Sequence, residues 1–293
     1  MSADPRLSTV LAPDGARIAV REHAAPADAA QGPTLVLAHG WCLAAETWDR
    51  VVAELQARRP HLRVITYDQP GHGLSTPGRD RRVSLLDLGA ILRGVVAETA
   101  PEGDVVLGGH SMGGMTVMAL AQLDPRFFAE RVRGAALVGT AAHLGTRRPV
   151  PGEGIAMAVL GRLPASARGL PTTARLTAAN LFGPDPDPQA VRATGRLTSR
   201  TRANVVADWH RAIGELDFRE HLAPFAGVRT VVLTGARDRL TPVSAGRRLA
   251  AGIPGAQFWS LPGVGHMITY EAPAIVADKV ELLLDAPAAS DRA

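Results

Sequence analysis

A serine hydroxyl becomes an effective nucleophile when a base removes its proton and an acid holds that base in the right tautomer. In this 293-residue chain the serine with the most suggestive setting is Ser111, in the stretch LGGHSMGG at 107–114. Gly109 and Gly113 stand two residues either side of it, the apolar run VVLGG precedes it, and a helix-like stretch from Met112 to Leu123 follows. Glycine inside a helix costs about 1 kcal/mol relative to alanine, so the crowding asks for a tight turn or a close helix crossing. A G-x-S-x-G sequence between strand and helix is the setting in which the serine sits at the tip of a sharp turn. The following helix would aim its N-terminal amides at the same spot, where they stabilise negative charge. The competing reading is a glycine-rich strand-to-helix turn without chemistry.

The base and acid are sought among nine histidines and 28 acidic residues. His266 lies in LPGVGHMITYEAP, after the last strand-like run, and Asp238 in LTGARDRLTP, just after another. Both fall at the C-terminal ends of strands, the edge that would also carry Ser111 and where open α/β sheets place their sites.

The elements that must position these residues are short apolar runs: 34–39, 62–68, 104–109, 134–140, 229–235 and 256–261. They do not alternate strictly, as expected for strands covered on both faces. Residues 8–12 and 16–21 flank Pro13, Asp14 and Gly15 and read as a hairpin. Helix-like stretches near 46–58, 84–99, 112–123, 243–252 and 272–285 separate the runs. The alternation predicts an α/β fold, a doubly wound and mostly parallel sheet. From about 142 to 215 the rhythm breaks into helical pieces punctuated by proline and glycine, which reads as an inserted helical cap. The domain expectation is therefore a core of 1–141 and 216–293 with a cap of 142–215.

The motifs LVLAHGW at 35–41, YDQPGHGLS at 67–75, GGHSMGG, LTGARDRLTP and GVGHM resemble, in order and spacing, the serine-dependent α/β-hydrolase fold superfamily. The similarity is to esterase/lipase-like members with a helical lid and runs from about residue 14 to 285, weakest in the insertion. It implies Ser111 as nucleophile, Asp238 as orienting acid and His266 as general base. It also implies an oxyanion hole from the backbone N–H groups of Trp41 and Met112. His39, Gly40, Gly109, His110 and Gly113 would shape the site, and His72 the adjoining loop. Pro70 departs from the pattern, since relatives often carry arginine there. The activity implied is hydrolysis of a carboxylic ester of a small or medium apolar substrate through an acyl-enzyme. A C–C bond hydrolase, thioesterase, lactonase or perhydrolase would use the same triad, and a non-catalytic small-ligand binding protein could keep the fold. Met157, Val159, Leu160, Leu176, Leu181 and Phe182 are candidates either for an acyl tunnel or for lid packing. Arg202, Trp209 and His210 are polar or aromatic cap residues of unassigned direction.

Other classes fit poorly. Lysine and arginine number 32, with Lys279 the single lysine, and the net charge is only +4. Clusters such as Arg79, Arg81 and Arg82, or Arg147 and Arg148, are too short and too poor in aromatics for a nucleic-acid surface. Cys42 is the only cysteine, so no intrachain disulfide forms. The absence of a signal-like segment and of an 18-residue apolar run makes a soluble, cytoplasmic protein the expectation, with no membrane span. Neither GHGLS nor GHSMGG fits a dinucleotide or phosphate loop, and Asp185 and Asp187, flanked by prolines, read as turn formers. No cofactor and no metal are expected. Homo-oligomers are compatible with the sequence.

Overall fold

The computed structural model describes residues 4–23, 32–78, 82–145, 152–164, 166–169 and 173–288; Arg79, Arg81, Arg147 and Arg148 lie outside them. The described strands are β1 (Arg6–Leu11), β2 (Arg17–His23), β3 (Thr34–Ala38), β4 (Val64–Tyr67), β5 (Val105–His110), β6 (Val132–Val138), β7 (Arg229–Gly235) and β8 (Gln257–Leu261). They form one sheet in the order β1-β2-β4-β3-β5-β6-β7-β8. The β1–β2 hairpin is antiparallel and β2 meets β4 antiparallel, while the β4-β3-β5-β6-β7-β8 run is parallel throughout. Every residue of β4 and of β5 is buried, which is why their sequences read as unbroken apolar runs.

Helices cover both faces. On one side α2 (Leu85–Thr99), α3 (Met112–Leu123) and α4 (Pro125–Arg131) pack a core that includes Leu92, Val96, Met118 and Phe128. On the other, α1 (Asp49–Arg58) and α11 (Pro273–Leu284) enclose Trp48, Leu55, Val276 and Leu283. Ser84 starts α2 with a capping box to Asp87. The short α4 was absent from the sequence reading, although its signals were present: Asp124 accepts from the Phe127 N–H and Pro125 occupies the first turn.

Between β6 and β7 lie α5 (Glu153–Arg162), α6 (Ala174–Leu181), α7 (Pro188–Arg200) and α8 (Ala203–Gly214). A bridge pairs His143 with Asp217, and the Phe218 amide donates to Ala142 O, so the two ends of the insertion meet at its base. A third core cluster joins Phe182, Ala190, Val191 and Leu197 of the insertion to Leu43, Met267 and Tyr270 of core loops. Asp187 caps α7 through the Gln189 N–H and pairs with Arg50 on α1. The chain closes with α9 (Val243–Ala251), which packs on β7 and β8, and the single turn α10 (Ile268–Glu271) before α11. Among the described residues no helix is long and apolar enough to cross a membrane.

Candidate active site

Ser111 follows the last residue of β5 and precedes the first of α3, with φ 54° and ψ −118°. A positive φ is strained for serine and costs on the order of 1–3 kcal/mol, which the surrounding packing must support. The packing is close enough to explain both glycines. A Cβ on Gly109 would stand 2.2 Å from the Gly113 carbonyl carbon, and one on Gly113 would stand 2.1 Å from Ala38 O. Strand β5, helix α3 and the end of β3 thus touch backbone to backbone at the turn. The Ser111 N–H is held by Val138 O at 2.8 Å, and Ser111 O accepts from the Gly114 N–H at 2.9 Å. The Met112 amide is the first of α3 and, like every first-turn amide, has no acceptor within its own helix.

Trp41 follows the end of β3. A Cβ on Gly40 would lie 3.2 Å from the Ser111 Cβ, so this loop passes directly beside the serine. Cys42 has φ 59° and, with Ser111, is one of two non-glycine residues with positive φ among those described. Its amide donates to His72 Nε2 at 3.1 Å, while the Leu43 amide donates to Gly40 O at 3.2 Å. The Cys42 thiol is buried and burial drives its pKa up, the reverse of what a thiolate nucleophile needs.

Asp238 and His266 come together as the spacing predicts. His266 Nδ1 donates to Asp238 Oδ2 at 2.8 Å, with both side chains almost wholly buried. Asp238 Oδ1 accepts from the Leu240 and Thr241 amides, each at 2.8 Å, and Oδ2 also accepts from the Thr241 hydroxyl at 2.7 Å. Burial pushes the Asp238 carboxyl up, but the His266 charge and these donors outweigh it and hold the pKa below the ordinary value. With Nδ1–H fixed on the carboxylate, the neutral ring keeps Nε2 as its acceptor.

Three further histidines brace the loops. His39 Nδ1 donates to Gly40 O at 2.7 Å and its Nε2 accepts from the Gln69 N–H at 2.8 Å. His72 Nδ1 donates to Pro70 O at 3.0 Å, and Pro70 O also accepts from the indole of Trp209 at 3.2 Å. His110 Nε2 donates to His266 O at 2.8 Å. Burial lowers their pKa values, to about 4 for His39 and about 3 for His72 and His110, so all three stay neutral. Asp68 accepts from the Ala45 and Leu74 amides at 2.8 Å each and ties down the turn in which Pro70 replaces the expected arginine.

A cavity of about 450 Å³ opens onto Ser111 and is lined by Trp41, Met115, Leu144, Ile213 and Leu240 among its apolar residues. Met115 is one helical turn beyond Ser111, a spacing that would have found it. None of Met157, Val159, Leu160, Leu176, Leu181 and Phe182 is among its lining residues; Val159 and Leu176 are exposed and Phe182 is packed in the third cluster. Of the three undirected cap residues, Arg202 stands at the N-cap position of α8 without a side-chain capping bond, Trp209 is buried against Pro70, and His210 lines the cavity.

Two neighbours of the candidate site escaped the sequence reading. Thr241, within LTGARDRLTP, bonds Asp238 as described. Glu271 accepts from the Gly265 amide at 3.0 Å and the Gly183 amide at 2.7 Å, bracing the loop that carries His266 against the insertion. No group of three or more potential metal ligands occurs among the described residues.

Residues 33–273 match the family model for the alpha/beta hydrolase fold. A pimeloyl-[acyl-carrier protein] methyl ester esterase of Chromobacterium violaceum is 30% identical over 239 residues, covering 80% of this chain and 88% of that protein. A non-heme chloroperoxidase of Kitasatospora aureofaciens is 29% identical over 260 residues, covering 82% and 87%. A crystal structure of a hydrolase from Pseudomonas aeruginosa superimposes with a TM-score of 0.78 at 27% identity, covering 96% of this chain and 99% of the other. The strand order, the turn at Ser111 and these matches together make this chain a member of the alpha/beta hydrolase fold family.

Proposed function

We propose that the chain is a serine hydrolase that cleaves carboxylic esters of small or medium apolar substrates through an acyl-enzyme. The observation that carries this reading is the buried Asp238–His266 pair, 2.8 Å apart, on the same sheet edge as a strained Ser111 that opens into a cavity. His266 Nε2 takes the Ser111 proton while Oγ attacks the ester carbonyl carbon, and Asp238 stabilises the imidazolium that forms. The backbone N–H groups of Trp41 and Met112 hold the oxyanion, and the N-terminus of α3 adds to the field there. The tetrahedral intermediate collapses as His266 returns the proton to the leaving alkoxide. Water, deprotonated by the same ring, then attacks the acyl-enzyme and releases the acid. The mostly apolar cavity wall favours an aliphatic or aryl group over a charged one. Similarity to an enzyme named as a methyl ester esterase supports the ester as the bond cleaved.

The test is labelling by a small fluorophosphonate, read by intact mass and peptide mapping, alongside hydrolysis of p-nitrophenyl esters from acetate to decanoate. Ser111 should carry the label, and Ser111→Ala should lose turnover with its thermal unfolding little changed. Undiminished turnover by that variant would remove the mechanism. A folded wild-type protein that neither labels nor turns over would favour ligand binding without catalysis.

A further inference from the structure

The cavity that opens on Ser111 has a polar feature that ester cleavage does not use. Glu153, in the first turn of α5, and His210, on α8, both line it, and His210 Nε2 lies 2.7 Å from Glu153 Oε1. Their side chains are only 12% and 25% exposed, so the pair is largely withdrawn from water. The neighbouring wall is apolar: Trp41, whose ring centre is 5.6 Å from that of His210, with Met115, Leu144 and Ile213. Apolar residues of the same volume would commonly serve stability as well as a buried polar pair or better, so stability supplies no reason for this one.

Its placement is fixed from both sides. The Trp41 indole donates to Val206 O at 3.2 Å and Trp209 donates to Pro70 O at 3.2 Å, which docks α8 on the core loops one turn before His210 and at the residue beside it. Helix α5 rests on α8 where a Cβ on Gly161 would stand 3.4 Å from the Ala207 Cβ. A carboxylate only accepts, so the Nε2 facing it carries the hydrogen, and the neutral ring keeps a lone pair on Nδ1. Among the described residues Nδ1 makes no hydrogen bond.

We infer that the Glu153–His210 pair is a specificity site, at which His210 Nδ1 accepts a hydrogen bond from a hydroxyl on the substrate chain remote from the scissile ester. This rests on the ester-hydrolase reading and narrows it to hydroxylated aliphatic esters. Glu153 acts through His210: it fixes the tautomer and the ring orientation, as Asp238 does for His266. A hydroxyl brought into this mostly apolar cavity without an acceptor would lose its water partners for nothing, whereas His210 restores one.

The experiment compares kcat/KM by pH-stat for methyl 6-hydroxyhexanoate and 8-hydroxyoctanoate against methyl hexanoate and octanoate, in wild type, His210→Leu and Glu153→Gln. The within-protein ratio of hydroxylated to plain ester cancels differences in folding or in amount of active enzyme. One hydrogen bond of about 1.4 kcal/mol corresponds to tenfold. The ratio for at least one chain length should fall about tenfold in His210→Leu, with an intermediate fall in Glu153→Gln. A ratio unchanged within twofold in His210→Leu at both chain lengths would overturn the proposal. p-Nitrophenyl acetate, with no chain to extend toward α8, reports the hydrolase reading separately. If wild type cleaves none of the esters, that reading fails, and the pair is then judged by calorimetric binding of 6-hydroxyhexanoate against hexanoate. Equal affinity of wild type and His210→Leu for the hydroxylated acid would sink it.

Discussion

Acidification should weaken this protein well above the range in which its carboxylates titrate. His39, His72 and His110 are fully enclosed beneath the site, and burial holds their pKa values at about 4, 3 and 3. Unfolded, each would titrate near 6.5. Between those values the unfolded chain binds protons that the folded chain refuses. Stability is therefore present above about pH 6.5 and is lost as pH falls toward the folded values. Each histidine contributes a loss of about 2 kcal/mol between pH 7 and pH 5, and the three together about 6 kcal/mol. A typical domain has only about 5–15 kcal/mol in total. Asp49, Asp68 and Glu271, whose carboxyls burial raises, work in the opposite direction. The assay is urea unfolding followed by tryptophan fluorescence at pH 7, 6 and 5, with the midpoint and slope fitted at each. His23, which burial also lowers to about 4, adds a fourth such ring, so His110→Gln, which can still donate to His266 O, should retain about three quarters of the loss. A wild-type unfolding free energy that is flat from pH 7 to pH 5 would refute the reasoning.

Two substitutions separate crowded from open glycines. Gly113→Ala forces a Cβ against Ala38 O and should cost about 1–3 kcal/mol and lower turnover by displacing the loop that carries Trp41. Gly94→Ala, in α2 with nothing within 4 Å of the new Cβ, should gain up to about 1 kcal/mol; differential scanning calorimetry orders the pair, and equal midpoints would contradict the packing argument. Asp238→Asn should keep fluorophosphonate-accessible Ser111 in place yet lower acylation by about three to four orders of magnitude at neutral pH. Stopped-flow burst kinetics measure that step, and an unaltered burst would mean that another acid orients His266.

Strand and helix alternation was readable because the central strands are buried on both faces and the surface helices carry their apolar residues on one side. The placement of Ser111, Asp238 and His266 along one sheet edge was readable for a related reason: each follows the end of a strand, and short motifs of small or turn-forming residues mark those ends. What depends on distant neighbours was not. Thr241 looks like any turn threonine until the Asp238 carboxylate is placed beside it, and Glu271 like any helix-start acid until two loop amides converge on it. The insertion was least legible. Two of its helices, α5 and α6, bury almost nothing, so their periodicity does not say which residue turns toward the serine. In the fold, His210 and Ile213 of α8 line the cavity while Val159 and Leu176 are exposed.

The loop that carries His266 is fastened to the insertion and not only to the sheet. The His266 and Met267 amides both donate to Leu181 O, at 2.7 and 3.1 Å. Backbone contact is equally tight alongside, where a Cβ on Gly265 would stand 2.4 Å from the Phe182 carbonyl carbon. Residues 181–183 therefore belong to the frame that holds the His266 loop although they lie far from it in the chain. For evolution and for engineering, the insertion is not an exchangeable cassette. A graft that replaces all of 142–215 with another protein's helices would unseat the histidine loop, whereas one confined to α5 and the start of α6 would leave that anchor whole. Variation in this lineage should accordingly be tolerated unevenly across the insertion, freely in its outer helices and sparingly at the short segment where it grips the core.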